Sequence, residues 1–235
     1  MSDKSQDGVT VVLVHGAWAD ASSWRAVIAR LQAKGVNVLA VQNPTSSLAD
    51  DVEAVRRVLA RVEGPVVLVG HSWGGTVITE AGADAKVKAL VYIAAFAPDV
   101  GQSTGDQVAA HPAPPGLAEV SQDSFGQYWM SAKGWTECVA QDLPQEDALV
   151  LWASQPPLGG QTFSDKVSKA AWKDRPVWYV LCSEDRAVST ALQRQLVERL
   201  NARATEIASS HLPLLSHPDA VVEVLLDAVA AVAAG

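Results

Sequence analysis

The fold is most constrained by four continuous apolar runs that alternate with segments of helical spacing. Apolar runs without polar alternation are typical of strands buried on both faces of a parallel sheet. Strands that alternate with helices form parallel crossover units. The sequence therefore predicts a doubly wound, mostly parallel α/β sheet flanked by helices. The four runs are VTVVLVHG (9–16), VNVLAVQNP (36–44), PVVLVG (65–70) and KVKALVYIAAFAP (86–98).

Helical patterns fill the segments between these runs. SSWRAVIARLQAKG (22–35) begins with serine and ends at glycine, which are typical helix start and stop residues. The segment from Leu48 places Val52, Val55, Leu59 and Val62 on one face of a second helix. A third helix is predicted for GGTVITEAGADA (74–85).

The sheet pattern returns near the C-terminus. PVWYVLCSED (176–185) is a further strand, followed by the helix TALQRQLVERLNA (190–202), the short strand ATEIA (204–208) and a final helix. Asp219, Glu223 and Asp227 recur every four residues and form one polar stripe on that final helix. This stripe predicts a packed surface helix rather than a membrane span.

Between about Asp99 and Lys173 the regular pattern fails, and proline, glycine, serine and scattered tryptophans take its place. A connection of this length is usually a lid or an inserted subdomain. We therefore predict a core of residues 1–98 and 174–235 and a small, mainly helical cap of residues 99–173, called the cap below.

Composition narrows the choice of partners and location. Eighteen Lys and Arg against 26 Asp and Glu give a net charge of −8, which argues against nucleic acid as a partner. Cys138 and Cys182 have no metal-ligand spacing, so we expect two reduced thiols and no structural metal.

The polar start MSDKSQDG lacks a secretion signal, and we expect a cytoplasmic protein. The apolar face of the C-terminal helix is a candidate homodimer contact.

A single serine stands at the junction of the third strand and its helix, in the motif GHSWG. Gly70 and Gly74 permit a turn too tight for side chains, which leaves Ser72 above the sheet as a candidate nucleophile. The turn directs the first N–H groups of the helix, including that of Trp73, beside Ser72 Oγ. Such donors stabilise the oxyanion of acyl transfer.

A serine nucleophile requires a downstream acid and then a histidine base. Asp185 follows the C-terminal end of a strand, and we favour it as the acid over its neighbour Glu184. His211 lies on the loop after the last strand and is the better base. His217 precedes Pro218 at a helix start, which favours a structural role.

Three other histidines have simpler interpretations. His111 lies in the irregular cap and is expected to be an isolated surface residue. His15 and His71 border the site within turns, where packing and hydrogen bonding are their expected roles.

The loop after the first strand, HGAWADASSW, supplies the second expected oxyanion donor. Gly16 permits a sharp turn there, and the N–H of Ala17 is the candidate. Trp18 stands near the nucleophile and is a candidate substrate contact, with an ordinary core position as the alternative. Trp129, in the cap, is the second candidate substrate contact.

The segments VLVHGAW…SSW, GHSWGG, SED and SSHLPLLSHPD occur in the order found in the α/β-hydrolase superfamily. Within it, the chain most resembles the small bacterial relatives of the plant methylesterase and hydroxynitrile lyase branch. The resemblance implies an α/β-hydrolase fold, a triad of Ser72, Asp185 and His211, oxyanion donors at Ala17 and Trp73, and no cofactor.

The resemblance leaves several reactions open. The lyases carry threonine where this chain has Gly16 and lysine where it has Leu212, so ester hydrolysis is favoured over cyanohydrin cleavage. The tryptophans of the cap predict a small ester substrate with apolar or aromatic bulk. Acyl transfer and a haloperoxidase or perhydrolase activity use the same acyl-enzyme. A non-catalytic small-molecule receptor on the same fold is the alternative from another class.

Overall fold

Six parallel strands form the central sheet of the computed structural model, which describes residues 8–234. The first half of the chain contains β1 (Thr10–Val14), α1 (Arg25–Ala33), β2 (Asn37–Val41), α2 (Leu48–Leu59), β3 (Val66–His71), α3 (Trp73–Ala81) and β4 (Val87–Ile93). A 3₁₀ turn, Ala21–Trp24, precedes α1, because the Asp20 side chain accepts the Ser22 N–H and starts the turn before the serines.

The cap lies between β4 and the next strand of the sheet and is mainly helical, with one short antiparallel pair of strands. It contains α4 (Thr104–Ala109), the antiparallel pair β5 (Val120–Gln122) and β6 (Tyr128–Met130), α5 (Ala132–Gly134), a π-helix (Trp135–Val139) and α6 (Gln145–Ser154). Two 3₁₀ turns, Pro115–Glu119 and Ala171–Lys173, complete the segment. The division of the chain into core and cap domains stays a prediction.

The last quarter returns to the sheet with β7 (Val177–Cys182), α7 (Thr190–Arg199), β8 (Arg203–Ile207), α8 (Pro213–Ser216) and α9 (Pro218–Ala233). On α9, the predicted polar stripe of Asp219, Glu223 and Asp227 is exposed, while the opposite face is buried. Within residues 8–234, no helix combines the length and apolar character that crossing a bilayer requires.

The strand order is β2-β1-β3-β4-β7-β8, and all the pairs are parallel. The predicted doubly wound α/β fold is confirmed. The chain leaves β1 for β2 on one side and then returns to β3 on the other, so the switch point lies between β1 and β3. Open α/β sheets bind ligands at the carboxyl ends of strands beside such a point. Ala17 and Ser72 follow these two strand ends.

Both faces of the sheet are buried, which explains the continuous apolar runs. Along β3, Val66 and Leu68 pack into the cluster under α2 and α3, whereas Val67 and Val69 pack into the cluster under α1 and α9. Successive strand side chains point to opposite faces, so each run supplies both layers. The sheet is therefore a rigid base for the loops at its carboxyl edge.

Leu68 is fully buried at the centre of β3, and its truncation tests the importance of this packing. We expect Leu68→Ala to lower the free energy of unfolding by about 2–5 kcal/mol through lost burial and a cavity. The measurement is urea unfolding followed by circular dichroism. Val150→Ala, at a position 65% exposed on α6, is the control and should remain close to wild type. Equal stability of the two variants would contradict the packing account.

Candidate active site

Ser72 occupies a strained turn between β3 and α3. Its φ of 52° and ψ of −120° lie in a region that L-residues rarely adopt. The Ser72 N–H donates to Ile93 O at 3.1 Å, and its carbonyl accepts from Gly75 N at 2.9 Å. These backbone bonds fix the turn to β4 and α3, so the side chain has a defined direction.

Close backbone approach explains the glycines of the motif. A Cβ on Gly70 would come within 2.5 Å of Gly74 O, and one on Gly74 within 2.5 Å of Val14 O. Both distances are far below van der Waals contact. Glycine at position 70 therefore lets β3 approach the start of α3, and glycine at position 74 lets α3 pack against the end of β1.

Asp185 and His211 form a buried hydrogen-bonded pair. His211 Nδ1 lies 2.8 Å from Asp185 Oδ2, and the two side chains are 7% and 0% exposed. Asp185 Oδ1 accepts the N–H groups of Ala187 and Val188 at 2.8 and 2.9 Å. Glu184 is exposed instead. The carboxylate that meets the histidine is therefore that of Asp185.

The hydrogen bond to Asp185 sets the tautomer of His211. A carboxylate only accepts, so Nδ1 carries the proton and neutral His211 keeps Nε2 as an acceptor. His211 and Ser72 both line one cavity. Within residues 8–234 no hydrogen bond joins Ser72 Oγ to this nitrogen; such bonds are often long in unliganded sites and tighten with substrate.

Gln193 is a further partner of Asp185 that the sequence did not reveal. This fully buried side chain on α7 donates from Nε2 to Asp185 Oδ2 at 2.8 Å and accepts the Cys182 N–H at 3.0 Å. Its position among the apolar residues Leu192 and Leu196 was the available signal, since a polar residue on a core-facing stripe requires a partner.

His71 connects the turn that carries Ser72 to the loop that carries His211. Its Nε2–H donates to His211 O at 2.8 Å, and the two rings lie 4.7 Å apart between centroids. Burial lowers the pKa of His71 well below its usual range, so the ring is neutral at pH 7. A neutral ring keeps a second positive charge away from His211.

The other three histidines do not line the cavity that contains Ser72. His15 Nδ1–H donates to Gly16 O at 2.9 Å, and burial lowers its pKa. His111 Nδ1–H donates to Gln107 O at 3.1 Å within the cap. His217 lies between α8 and α9, where Nδ1 pairs with Ser216 Oγ at 2.9 Å.

Two backbone N–H groups flank Ser72 at the switch point. Ala17 and Trp73 both line the cavity with Ser72, and neither N–H has an acceptor within residues 8–234. A Cβ on Gly16 would lie 2.9 Å from Ser72 Cβ, so glycine lets the first loop approach the serine closely. Donors in this arrangement can bind an oxyanion.

The indole of Trp73 is anchored by a buried acid that the sequence analysis did not single out. Trp73 Nε1 donates to Asp51 Oδ2 at 2.7 Å, and Asp51 Oδ1 accepts the Thr45 N–H at 2.7 Å. Desolvation raises the pKa of the fully buried Asp51, while its three donors oppose that shift. Asp51 shares a helix face with the apolar Leu48 and Val55, which was the signal that could have identified it.

The cavity beside Ser72 is almost entirely apolar. Within residues 8–234 its wall contains no Lys, Arg, Asp or Glu side chain. The polar members are His71, Ser72, Thr104, Ser189 and His211. The core contributes Ala17, Trp18, Ala19, Trp73, Phe96, Ala187, Val188, Leu192 and Leu212, and the cap contributes Val108, Pro114, Gly116, Leu117, Val120, Met130, Trp135, Val139, Leu158 and Phe163.

The two tryptophans expected to contact substrate have different positions. Trp18 lines the cavity, and its indole N–H donates to Tyr128 O of the cap at 2.9 Å. Trp129 is not part of the cavity wall, and its indole N–H donates to Asp123 Oδ2 at 2.8 Å, so a contact between Trp129 and substrate stays a prediction. The alternation of β6 turns Met130 into the cavity and Trp129 to the opposite face.

No metal site accompanies this arrangement in the part of the chain that is described: residues 8–234 contain no group of three or more His, Cys, Asp or Glu side chains that could hold an ion.

A family model described as "Alpha/beta hydrolase family" matches residues 11–224. Among curated proteins, an alpha/beta hydrolase of Aspergillus novofumigatus is 26% identical, with 93% of this chain and 95% of that protein covered. Salicylic acid-binding protein 2 of Nicotiana tabacum is also 26% identical, with 94% and 97% covered. Methylesterase 7 of Arabidopsis thaliana is 26% identical, with 92% and 94% covered.

Solved structures share the fold over nearly the whole chain. Polyneuridine aldehyde esterase superposes with a TM-score of 0.80 at 23% identity, covering 93% of this chain and 98% of that one. A pyrethroid hydrolase from Sphingobium faniae also gives a TM-score of 0.80, at 22% identity, covering 93% and 96%. The predicted resemblance to the plant branch is confirmed by these matches.

The contact between Gln193 and Asp185 leads to a prediction about turnover. We expect Gln193→Leu to lower kcat on an ester substrate, because Asp185 loses a donor and orients His211 less firmly. The unsatisfied Cys182 N–H should also lower the free energy of unfolding by about 1–3 kcal/mol. The measurements are steady-state kinetics and urea unfolding. Gln195→Leu, exposed two residues further along α7, is the control, and equal kinetics in both variants would contradict the role of Gln193.

The buried His71 leads to a prediction about pH and stability. In the unfolded chain its pKa is about 6.5, above that of the folded state, so below this pH the unfolded state binds an extra proton. Stability is therefore lost as the pH falls below about 6.5, at a limiting slope of about 1.4 kcal/mol per pH unit. We expect His71→Gln to show a shallower decline than wild type between pH 6.5 and 5 in urea unfolding. Identical slopes would show that His71 accepts a proton in the folded state.

Proposed function

The chain belongs to the alpha/beta hydrolase family, and we propose that it is a serine esterase acting on a small, uncharged ester with apolar or aromatic groups. The observation that carries this proposal is the hydrogen bond between Asp185 and His211 beside the cavity that contains Ser72. A buried acid, an oriented imidazole and a serine on a strained turn are the groups required for acyl transfer.

In the proposed mechanism, His211 Nε2 accepts the Ser72 hydroxyl proton as Oγ attacks the ester carbonyl carbon. Asp185 stabilises the imidazolium that forms. His211 then returns the proton to the leaving alcohol as the C–O bond breaks, which leaves an acyl group on Ser72. A water molecule gives a proton to His211 as its oxygen attacks the acyl carbon, and His211 then returns this proton to Ser72 Oγ as the bond between Oγ and the acyl carbon breaks. The carboxylic acid leaves, and Ser72 and His211 regain their starting protonation states.

Charge develops on the carbonyl oxygen in both tetrahedral intermediates. The N–H groups of Ala17 and Trp73 are the proposed donors to this oxyanion, and each such donor is worth about 3 kcal/mol of barrier. The Asp51 contact with the Trp73 indole supports this role, since it fixes the first residue of α3. The apolar cavity strengthens these hydrogen bonds by excluding water.

The wall of the cavity supports an uncharged substrate. A carboxylate or phosphate would be buried without a cation, at a large desolvation cost. Aromatic side chains on the wall, among them Trp18, Phe96, Trp135 and Phe163, favour apolar or aromatic bulk. Leu212 lies on the same wall where lyases of the resembling branch carry lysine, which favours ester hydrolysis over cyanohydrin cleavage.

The names of the curated relatives agree with an esterase. They include a methylesterase of Arabidopsis thaliana and, over 39% of this chain at 38% identity, a carbendazim-hydrolysing esterase of Nocardioides. These names support ester hydrolysis as the reaction class. The proposal that the ester is uncharged and apolar or aromatic depends on the apolar cavity wall alone.

The experiment is hydrolysis of p-nitrophenyl acetate and butyrate by wild type and Ser72→Ala. We expect the variant to lose roughly three orders of magnitude or more in kcat, because the nucleophile acts as a unit with His211. A stoichiometric burst of p-nitrophenol should precede steady turnover in wild type when deacylation is slower than acylation.

Ser124→Ala is the matched control, since Ser124 is exposed on the turn of the cap hairpin, and it should retain wild-type turnover. Full turnover by Ser72→Ala would contradict the proposed nucleophile. A wild-type protein that binds these esters without turning them over would indicate the receptor function instead.

A further inference from the structure

One stretch of the cap, residues 135–142, contacts both loops that carry the proposed acid and base; we call it the brace. It consists of the π-helix and the turn that follows it. On the acid side, Arg186 Nη1 donates to Glu137 O at 3.1 Å, and Gln141 Nε2 donates to Glu184 O at 2.8 Å. These contacts involve the neighbours of Asp185 on both sides.

The base loop has a separate contact with the brace. Asp142 Oδ2 accepts the N–H of Ser210 at 2.9 Å, one residue before His211. The Asp142 side chain is 19% exposed, although the residue as a whole is exposed. The two loops are also joined directly, because Glu184 N donates to Ser209 O at 3.2 Å.

The other side of the brace faces the cavity. Trp135 and Val139 belong to its wall and are 2% and 4% exposed. π-helical turns are rare and occur frequently at functional sites. The same short segment therefore contacts the space for substrate on one side and the acid and base loops on the other.

We propose that the brace aligns Asp185 and His211 with Ser72, and that Asp142 is the positioning residue for His211. This inference rests on the proposed serine esterase function. Without the Asp142 carboxylate, the Ser210 N–H loses its acceptor and the loop gains conformations in which His211 Nε2 is farther from Ser72 Oγ. An apolar group held against Trp135 and Val139 restrains the same segment, so substrate binding favours the aligned arrangement.

The test compares Asp142→Ala with Asp142→Asn on p-nitrophenyl butyrate, with kcat expressed per active site titrated by a fluorophosphonate. We expect Asp142→Ala to lower kcat about tenfold or more with KM nearly unchanged, because small misplacements of catalytic groups are costly. Asp142→Asn keeps an acceptor oxygen and should restore most of the activity. A merely structural role would lower the titratable fraction and the melting temperature but leave kcat per site unchanged.

The control is Asp147→Ala, an exposed carboxylate of the cap on α6, which should retain wild-type kcat. Wild-type kcat per site in Asp142→Ala, with Ser72→Ala inactive, would overturn the brace and leave the esterase proposal intact. Activity in Ser72→Ala would overturn both proposals. Where Asp142→Ala does not fold, Gln141→Ala replaces it: it removes the contact with Glu184 and should lower kcat severalfold, and wild-type kcat would overturn the brace.

Discussion

The site depends on the strained backbone of Ser72, which is held in place by the sheet on which it stands. A non-glycine residue with this φ and ψ costs about 1–3 kcal/mol and persists only where its surroundings determine it. Here the turn is bonded to β4 through Ile93 O and packs on β1 through Gly74. Apolar burial on both faces of the sheet stabilises the fold and offsets the free-energy cost of this strained turn.

The parallel topology then determines which groups can meet the serine. Loops at the carboxyl ends of β1, β3, β7 and β8 carry Ala17, Ser72, Asp185 and His211 to one edge of the sheet. Short loops on rigid strands hold such groups more accurately than long ones. The cap closes this edge with apolar side chains, so the proposed ester cleavage would develop its charges in a medium of low dielectric constant. The order of the parallel strands therefore determines where the site lies and which groups are available for the proposed reaction.

The sequence predicted the features that depend on local pattern. Apolar runs and helical spacing identified the strands and helices, and the glycines around Ser72 identified the turn. Asp185 and His211 could be selected because strand ends meet at one edge. Gln193 and Asp51 were not predicted, because their roles depend on packing between elements distant in sequence. The face of the hairpin that Trp129 occupies was not predicted, because the register of a short hairpin decides which face each side chain occupies, and irregular cap sequence does not specify that register.

The most direct test of the central claim, that Ser72 is a nucleophile activated by His211, is mass spectrometry of the protein after reaction with a fluorophosphonate. The account predicts one phosphonyl group per chain, on the peptide that contains Ser72, and little labelling in His211→Ala because the base is missing. Labelling of another residue, or equal labelling with and without His211, would contradict it.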